Sequence, residues 1–174
     1  MAEENLYFLG IDPSATSTGV VLLNNTSGGS ITTTIAPGKL RDASRLKFIN
    51  RELLDLLDGK VIQKCVMESP SYGSTHKEFI LGEALGVIKL TLACSNVRSI
   101  EYASPTQLKK FLTGNHRASK PDMVREALLL GCPSLQNDVC DAWAAALLAR
   151  SLHVGSSEIR TRGAQEVVAS ILSK

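Results

Sequence analysis

Leu6-Tyr7-Phe8-Leu9-Gly10-Ile11-Asp12 runs straight into Pro13-Ser14-Ala15-Thr16-Ser17-Thr18-Gly19, and Val20-Val21-Leu22-Leu23 follows. The first stretch is nearly continuously apolar, as expected of a central strand buried on both faces. The second is a turn-rich break, and the third resumes the strand pattern. A further turn cluster with Gly28-Gly29 leads into the β-branched run Ile31-Thr32-Thr33-Thr34-Ile35. Three short strands joined by tight turns imply an antiparallel meander at the start of the chain.

A helix over 42–57 comes next, with Leu46, Ile49, Leu53, Leu56 and Leu57 on one face and Gly59 as its stop. Residues 61–68 read as a strand ending at Ser69-Pro70, a helix starts at Glu78 and ends at Cys94, and 97–102 read as a fifth strand. The remainder is helical, at about 106–112, 122–130, 138–152 and 163–172. Strands, then alternating helices and strands, then helices describe an α/β layered fold with a mixed sheet.

The 174 residues fit one domain spanning 1–174, and 44% hydrophobic content excludes intrinsic disorder. Glu4-Asn5-Leu6-Tyr7-Phe8 resembles part of a tag-cleavage site, but Leu9 replaces the Gln such a site requires. Met1 to Asn5 are read as unstructured or not native to the chain. They lack a basic leader, so no signal peptide is expected. The longest apolar run, from Ala142 to Ala149, is far short of the roughly 20 residues a membrane span needs. The four cysteines form no C-x-x-C pair and sit in apolar segments, which points to core thiols in a reducing, cytoplasmic setting. Aromatics at 5% argue against broad stacking platforms for single strands. A formal charge of +2 neither demands nor excludes a polyanionic partner.

The carboxylates are more informative. Asp12 ends a buried strand, where an acid is costly unless paired or bound to a metal. Glu68 repeats the pattern, and parallel pairing of the two strands brings both to one sheet edge. Asp138 and Asp141 are three apart at a helix start and share one face. Ala142, Ala144, Ala145 and Ala146 behind them let that helix pack tightly onto the sheet. Taken singly, each acid has an ordinary explanation: a turn cap, a surface Glu, complementation of a helix dipole. Four converging carboxylates repel unless divalent cations sit among them, and oxygen ligands suit Mg²⁺ or Mn²⁺. Residues 108–121 hold Lys109, Lys110, His116, Arg117 and Lys120 with no acid. Gly114-Asn115 within this stretch suits backbone phosphate contacts. Ser119-x-x-Asp122 with Pro121 marks a helix N-terminus, read as a phosphate seat.

These pieces together resemble the RuvC family of Holliday-junction resolvases, within the ribonuclease-H-like superfamily. The matching segments are Leu9-Gly10-Ile11-Asp12-Pro13, Glu68, Leu81-Gly82-Glu83-Ala84-Leu85-Gly86-Val87, Glu101-Tyr102-Ala103, Leu108-Lys109-Lys110, and the stretches 114–120 and 137–146. They run in family order over about residues 6–150. The resemblance implies a ribonuclease-H-like mixed five-stranded sheet, with an antiparallel meander plus parallel strands, flanked by helices. It implies that Asp12, Glu68, Asp138 and Asp141 are catalytic and bind two Mg²⁺ ions per site, with Mn²⁺ substituting. It implies that Lys109 and Lys120 hold DNA near the scissile phosphate, with Lys120 also catalytic, while Lys110 and Arg117 are read as DNA-binding from the acid-free basic stretch itself. The implied activity is a crossover junction endodeoxyribonuclease making paired symmetric nicks in four-way or other branched DNA, leaving 5′-phosphate and 3′-hydroxyl ends. A homodimer is implied through the helix from Glu78 to Cys94, whose apolar surplus includes Phe79, Leu85 and Ile88. A branch-migration motor is not identified by the sequence.

The chain departs from the cellular pattern in two places. Ser14 stands where a glycine is common, tolerable if its backbone angle is ordinary. Ser69-Pro70-Ser71-Tyr72-Gly73 replaces the stretch carrying a base-stacking aromatic, and Tyr72 is the nearest substitute for DNA binding. Such departures would fit a bacteriophage member with broader branched-DNA specificity. Rival readings are a ribonuclease H for RNA–DNA hybrids, a non-catalytic junction-binding protein, and an actin-like nucleotide domain. The last lacks its second phosphate loop.

Overall fold

The computed structural model describes residues 6–14, 16–25, 27–70, 75–159 and 161–173. Strands β1 (Leu6–Asp12), β2 (Thr18–Asn24), β3 (Ser30–Ile35), β4 (Val61–Glu68) and β5 (Ile100–Ala103) form one sheet in the order β3-β2-β1-β4-β5. The first three pair antiparallel, as the tight turns require, while β4 lies parallel to β1 and β5 parallel to β4. Helix α1 (Asp42–Leu57) makes the crossover from β3 to β4, and α2 (Thr75–Ala93) the one from β4 to β5. The chain closes with α3 (Pro105–Thr113), α4 (Lys120–Leu129), α5 (Asn137–Val154) and α6 (Arg162–Leu172).

The two-residue alternation of the strands divides the core into two layers. Leu9 and Ile11 of β1, with Cys65 and Met67 of β4, face α1 and α2. Phe8 and Val66 face the opposite way, into a core shared with α3, α4, α5 and α6. Counting on by two puts Gly10 and Asp12, and likewise Glu68, on the α5 side of the sheet. The α/β fold with a mixed five-stranded sheet flanked by helices, expected from the sequence, is therefore the one found.

Several local expectations need correction. Cys94 is exposed, while Cys65, Cys132 and Cys140 are buried; all four are free thiols. The fifth strand begins at Ile100, because Val97 makes only an isolated parallel bridge to Ile62 at the sheet edge. Leu85 and Ile88 of α2 are buried against the sheet and are no surplus; Phe79 and Leu90 are the large apolar side chains it leaves exposed. Among the described residues no helix is long and apolar enough to cross a membrane.

Candidate active site

Asp12 is the last residue of β1 and Glu68 the last of β4. Their strands pair in parallel with Gly10 beside Val66 and Ile11 beside Met67, so the two carboxylates leave the sheet at the same end. Opposite Asp12 on the other side stands Gly19 of β2. Helix α5 crosses this face at very short range. A Cβ on Gly10 would lie 2.0 Å from the Ala142 carbonyl oxygen and 2.3 Å from the Ala146 nitrogen. A Cβ on Gly19 would lie 2.0 Å from the Asp138 carbonyl oxygen. The helix backbone thus rests on two missing side chains, and this contact carries Asp138 and Asp141 to the sheet's acids. The alanines on α5 are visible in the sequence as small residues. Their partners Gly10 and Gly19 read there only as strand and turn.

Asp12, Glu68, Asp138 and Asp141 line one cavity of about 340 Å³ with Ser14, Pro105, Leu108, Lys109, Lys120 and Met123. All four acids are half-buried. Burial, reinforced by Glu68, Asp141 and Asp138, pushes the Asp12 carboxyl up to about 8 against the pull of Lys120. Burial and then Asp141 push Glu68 up to about 7, opposed by Lys109 and Lys120. Asp141 is also raised, chiefly by burial, with Lys120 and Lys109 pulling it down. Two ammonium groups do not balance four carboxylates. Among the described residues no trio of His, Cys, Asp or Glu is gathered tightly enough to hold an ion as it stands. The donor set is oxygen throughout, anionic and undercompensated, which fits a hard divalent cation.

The two lysines come from consecutive helices. Ser104 caps α3 with a full capping box to Gln107, Pro105 occupies its first turn, and Gly114 closes it at φ 79°. Lys109 therefore sits on a short, doubly stopped helix whose buried Leu108 and Phe111 anchor it. Ser119 and Asp122 form the equivalent box on α4, placing exposed Lys120 at the first helical position. The Asp122 carboxylate accepts from the Ser119 amide and hydroxyl at 3.0 and 2.6 Å. Those bonds hold its carboxyl below the usual range.

Other expected contacts lie outside the cavity. Lys110 points away and pairs with Glu166 of α6 at 2.6 Å. Arg117 and His116 are exposed on the α3–α4 loop, which Asn115 organises by accepting from the Arg117 amide at 2.9 Å. Tyr72 lies outside the described residues. Ser14 has no left-handed backbone angle, so the residue replacing the common glycine is unstrained. Its hydroxyl accepts from the Ser17 amide at 2.9 Å and organises the turn after β1.

The profile of the crossover junction endodeoxyribonuclease RuvC family matches residues 8–149. The chain belongs to the RuvC family. A RuvC from Thermotoga maritima is 33% identical over 163 residues, covering 86% of this chain and 96% of that protein. A RuvC from Anaeromyxobacter dehalogenans is 34% identical over 149 residues, covering 80% of this chain and 77% of the relative. The fold is likewise that of solved RuvC structures. Thermus thermophilus RuvC superposes with a TM-score of 0.67 at 21% identity, covering 85% of this chain and 96% of that one. The same enzyme in complex with a Holliday junction substrate gives 0.64 at 20% identity, over 79% and 88% of the two chains. The ribonuclease-H-like RuvC architecture expected from the sequence is the observed one.

Proposed function

We propose that this chain is a metal-dependent endodeoxyribonuclease that resolves four-way DNA junctions. The observation that carries the reading is the convergence of Asp12, Glu68, Asp138 and Asp141 with Lys109 and Lys120 on one cavity in a RuvC-family chain. The four acids would hold Mg²⁺, with Mn²⁺ as a substitute. Two such ions supply Lewis acidity and charge neutralisation for phosphodiester hydrolysis to 5′-phosphate and 3′-hydroxyl ends.

The chain's own residues then divide the remaining work. Asp12 and Glu68, fixed at adjacent strand ends, set the depth at which the scissile phosphate sits. Asp138 and Asp141 close the site from α5. Lys109 binds a non-bridging phosphate oxygen from the α3 side and orients the strand. Lys120, solvent-facing, meets the charge that develops as the phosphate oxygens become more anionic. Arg117 adds a backbone contact further along the strand. Lys110 reaches DNA only by giving up Glu166.

Paired symmetric nicks need two such sites, and a twofold dimer supplies them. Phe79, Gly82, Gly86 and Leu90 lie on one exposed face of α2, where no Cβ hinders close approach at the two glycines. That face is the proposed contact with a second copy. The test is a substrate panel with Mg²⁺: a four-way junction, a linear duplex and an RNA–DNA hybrid. Symmetric nicking confined to the junction is expected. Cleavage of the hybrid alone would make the protein a ribonuclease H, and binding without cleavage would make it a junction-binding protein.

A further inference from the structure

Ser14 is shared between two cavities. On one side it lines the acidic site, and on the other it borders a larger space of about 510 Å³. The second space is walled by Thr16, Pro37, Gly38, Leu40, Arg41, Asp42, Arg45, Ile80 and Glu83. It sits between the turn after β1, the start of α1 and the middle of α2. Any strand threaded past the acids must continue on both sides of the scissile phosphate. Lys109 and Lys120 mark one side, and this cavity lies across Ser14 on the other.

The lining has the character of a base site more than a phosphate site. Two arginines are matched by two acids, so it carries no net attraction for an anion. Arg45, with a side chain only 7% exposed, is locked to Glu83 at 2.9 Å and to the Ile80 carbonyl at 3.1 Å. Leu40, Pro37 and Ile80 give an apolar wall for a ring face, while Arg41, Asp42 and Glu83 offer donors and acceptors for its edge. Arg41 is exposed and makes no ion pair among the described residues, which leaves its guanidinium available at the rim. Asp42 is the one described non-glycine residue with positive φ, at 46°. Such strain persists where surrounding structure holds it, and it is concentrated at ligand-binding positions. Another cavity, about 570 Å³ beside Asp58, Gly59 and Val61, is at the far end of β4 and has no such continuity with the acids.

We infer that the cavity bounded by Leu40, Arg41, Asp42 and Glu83 receives the unstacked nucleobase next to the scissile phosphate. It thereby sets which sequence is cut. This rests on the junction-endonuclease reading and assigns that enzyme a base-reading subsite. Flipping or splaying a base is cheapest where strands already part, as at a junction crossover.

The experiment places a single abasic nucleotide at each position flanking the mapped cut in a four-way junction and measures single-turnover cleavage. Wild type should lose about tenfold at one position, on the side away from Lys109, in keeping with ~1–3 kcal/mol for a base contact. Leu40→Ala and Arg41→Ala, both at exposed positions that folding tolerates, should each lose about tenfold on the intact junction. Each should lose little more when that same nucleotide is abasic. Their cleavage sites on a mobile junction should also spread over more sequences. Equal abasic losses in wild type and variants at every position overturn the subsite while leaving the endonuclease reading intact. Failure of the wild type to cut the intact junction overturns both.

Discussion

Burial, and then the three other acids around it, push the half-buried Asp12 carboxyl up from 3.8 to about 8. Glu68 moves from 4.5 to about 7 for the same reasons. A folded-state value raised above the unfolded one means that the protonated form is favoured in the fold. The contribution to stability is therefore complete below about pH 4. It is lost as pH rises through about 7 and then 8. A bound divalent cation removes that penalty by neutralising the ionised acids. The metal-free protein should melt several degrees lower at about pH 8.5 than at about pH 5.5, since ~2 kcal/mol is worth roughly 4–8 °C in a chain of this size. Magnesium should raise the melting temperature much more at the higher pH. Equal magnesium shifts at both pH values would contradict the four-acid site.

At the scale of elements, α5 decides the geometry. Its backbone lies against Gly10 and Gly19, and both contacts are too short for any Cβ. Gly19→Ala should push the start of α5 off the sheet, costing at least ~1–3 kcal/mol in urea unfolding. Cleavage should fall more than stability, because Asp138 moves with the displaced turn. A variant that unfolds at the wild-type urea midpoint would refute the contact. The elements themselves were largely legible in the sequence. Helix 42–57 and strand 61–68 fall at the expected bounds, because a clean apolar stripe, Gly59 and Ser69-Pro70 mark them without help from neighbours. What stayed hidden depends on neighbours distant in sequence. Lys110 reads as part of a basic run until Glu166, on another helix, claims it. Leu85 and Ile88 read as surplus on α2 until the sheet covers them. Gly10 reads as a strand residue until Ala142 is placed above it. The acids converge as the parallel pairing of β1 with β4 requires, yet the shared wall at Ser14 has no signature in composition or spacing.

For the whole molecule, the proposed paired nicks call for two cavities, and so for two copies acting together. The exposed stripe Phe79, Gly82, Gly86 and Leu90 is the face on which they would meet. Gly86→Leu, at an open position with no neighbour within 4 Å of its Cβ site, should leave the folded subunit unchanged. In sedimentation it should shift the dimer toward monomer, and it should convert paired nicks into single ones. A dimer that survives unaltered would place the contact elsewhere. Beneath all of this lies the claim that the cavity at the ends of β1 and β4 is where DNA is cut with metal. Asp12→Asn isolates that claim, since it keeps the size of the side chain, the lysines and the fold. On a four-way junction with Mg²⁺ the variant should bind as the wild type does and make no nicks, while the wild type makes two symmetric ones. Paired nicking by Asp12→Asn at the wild-type rate would contradict the account.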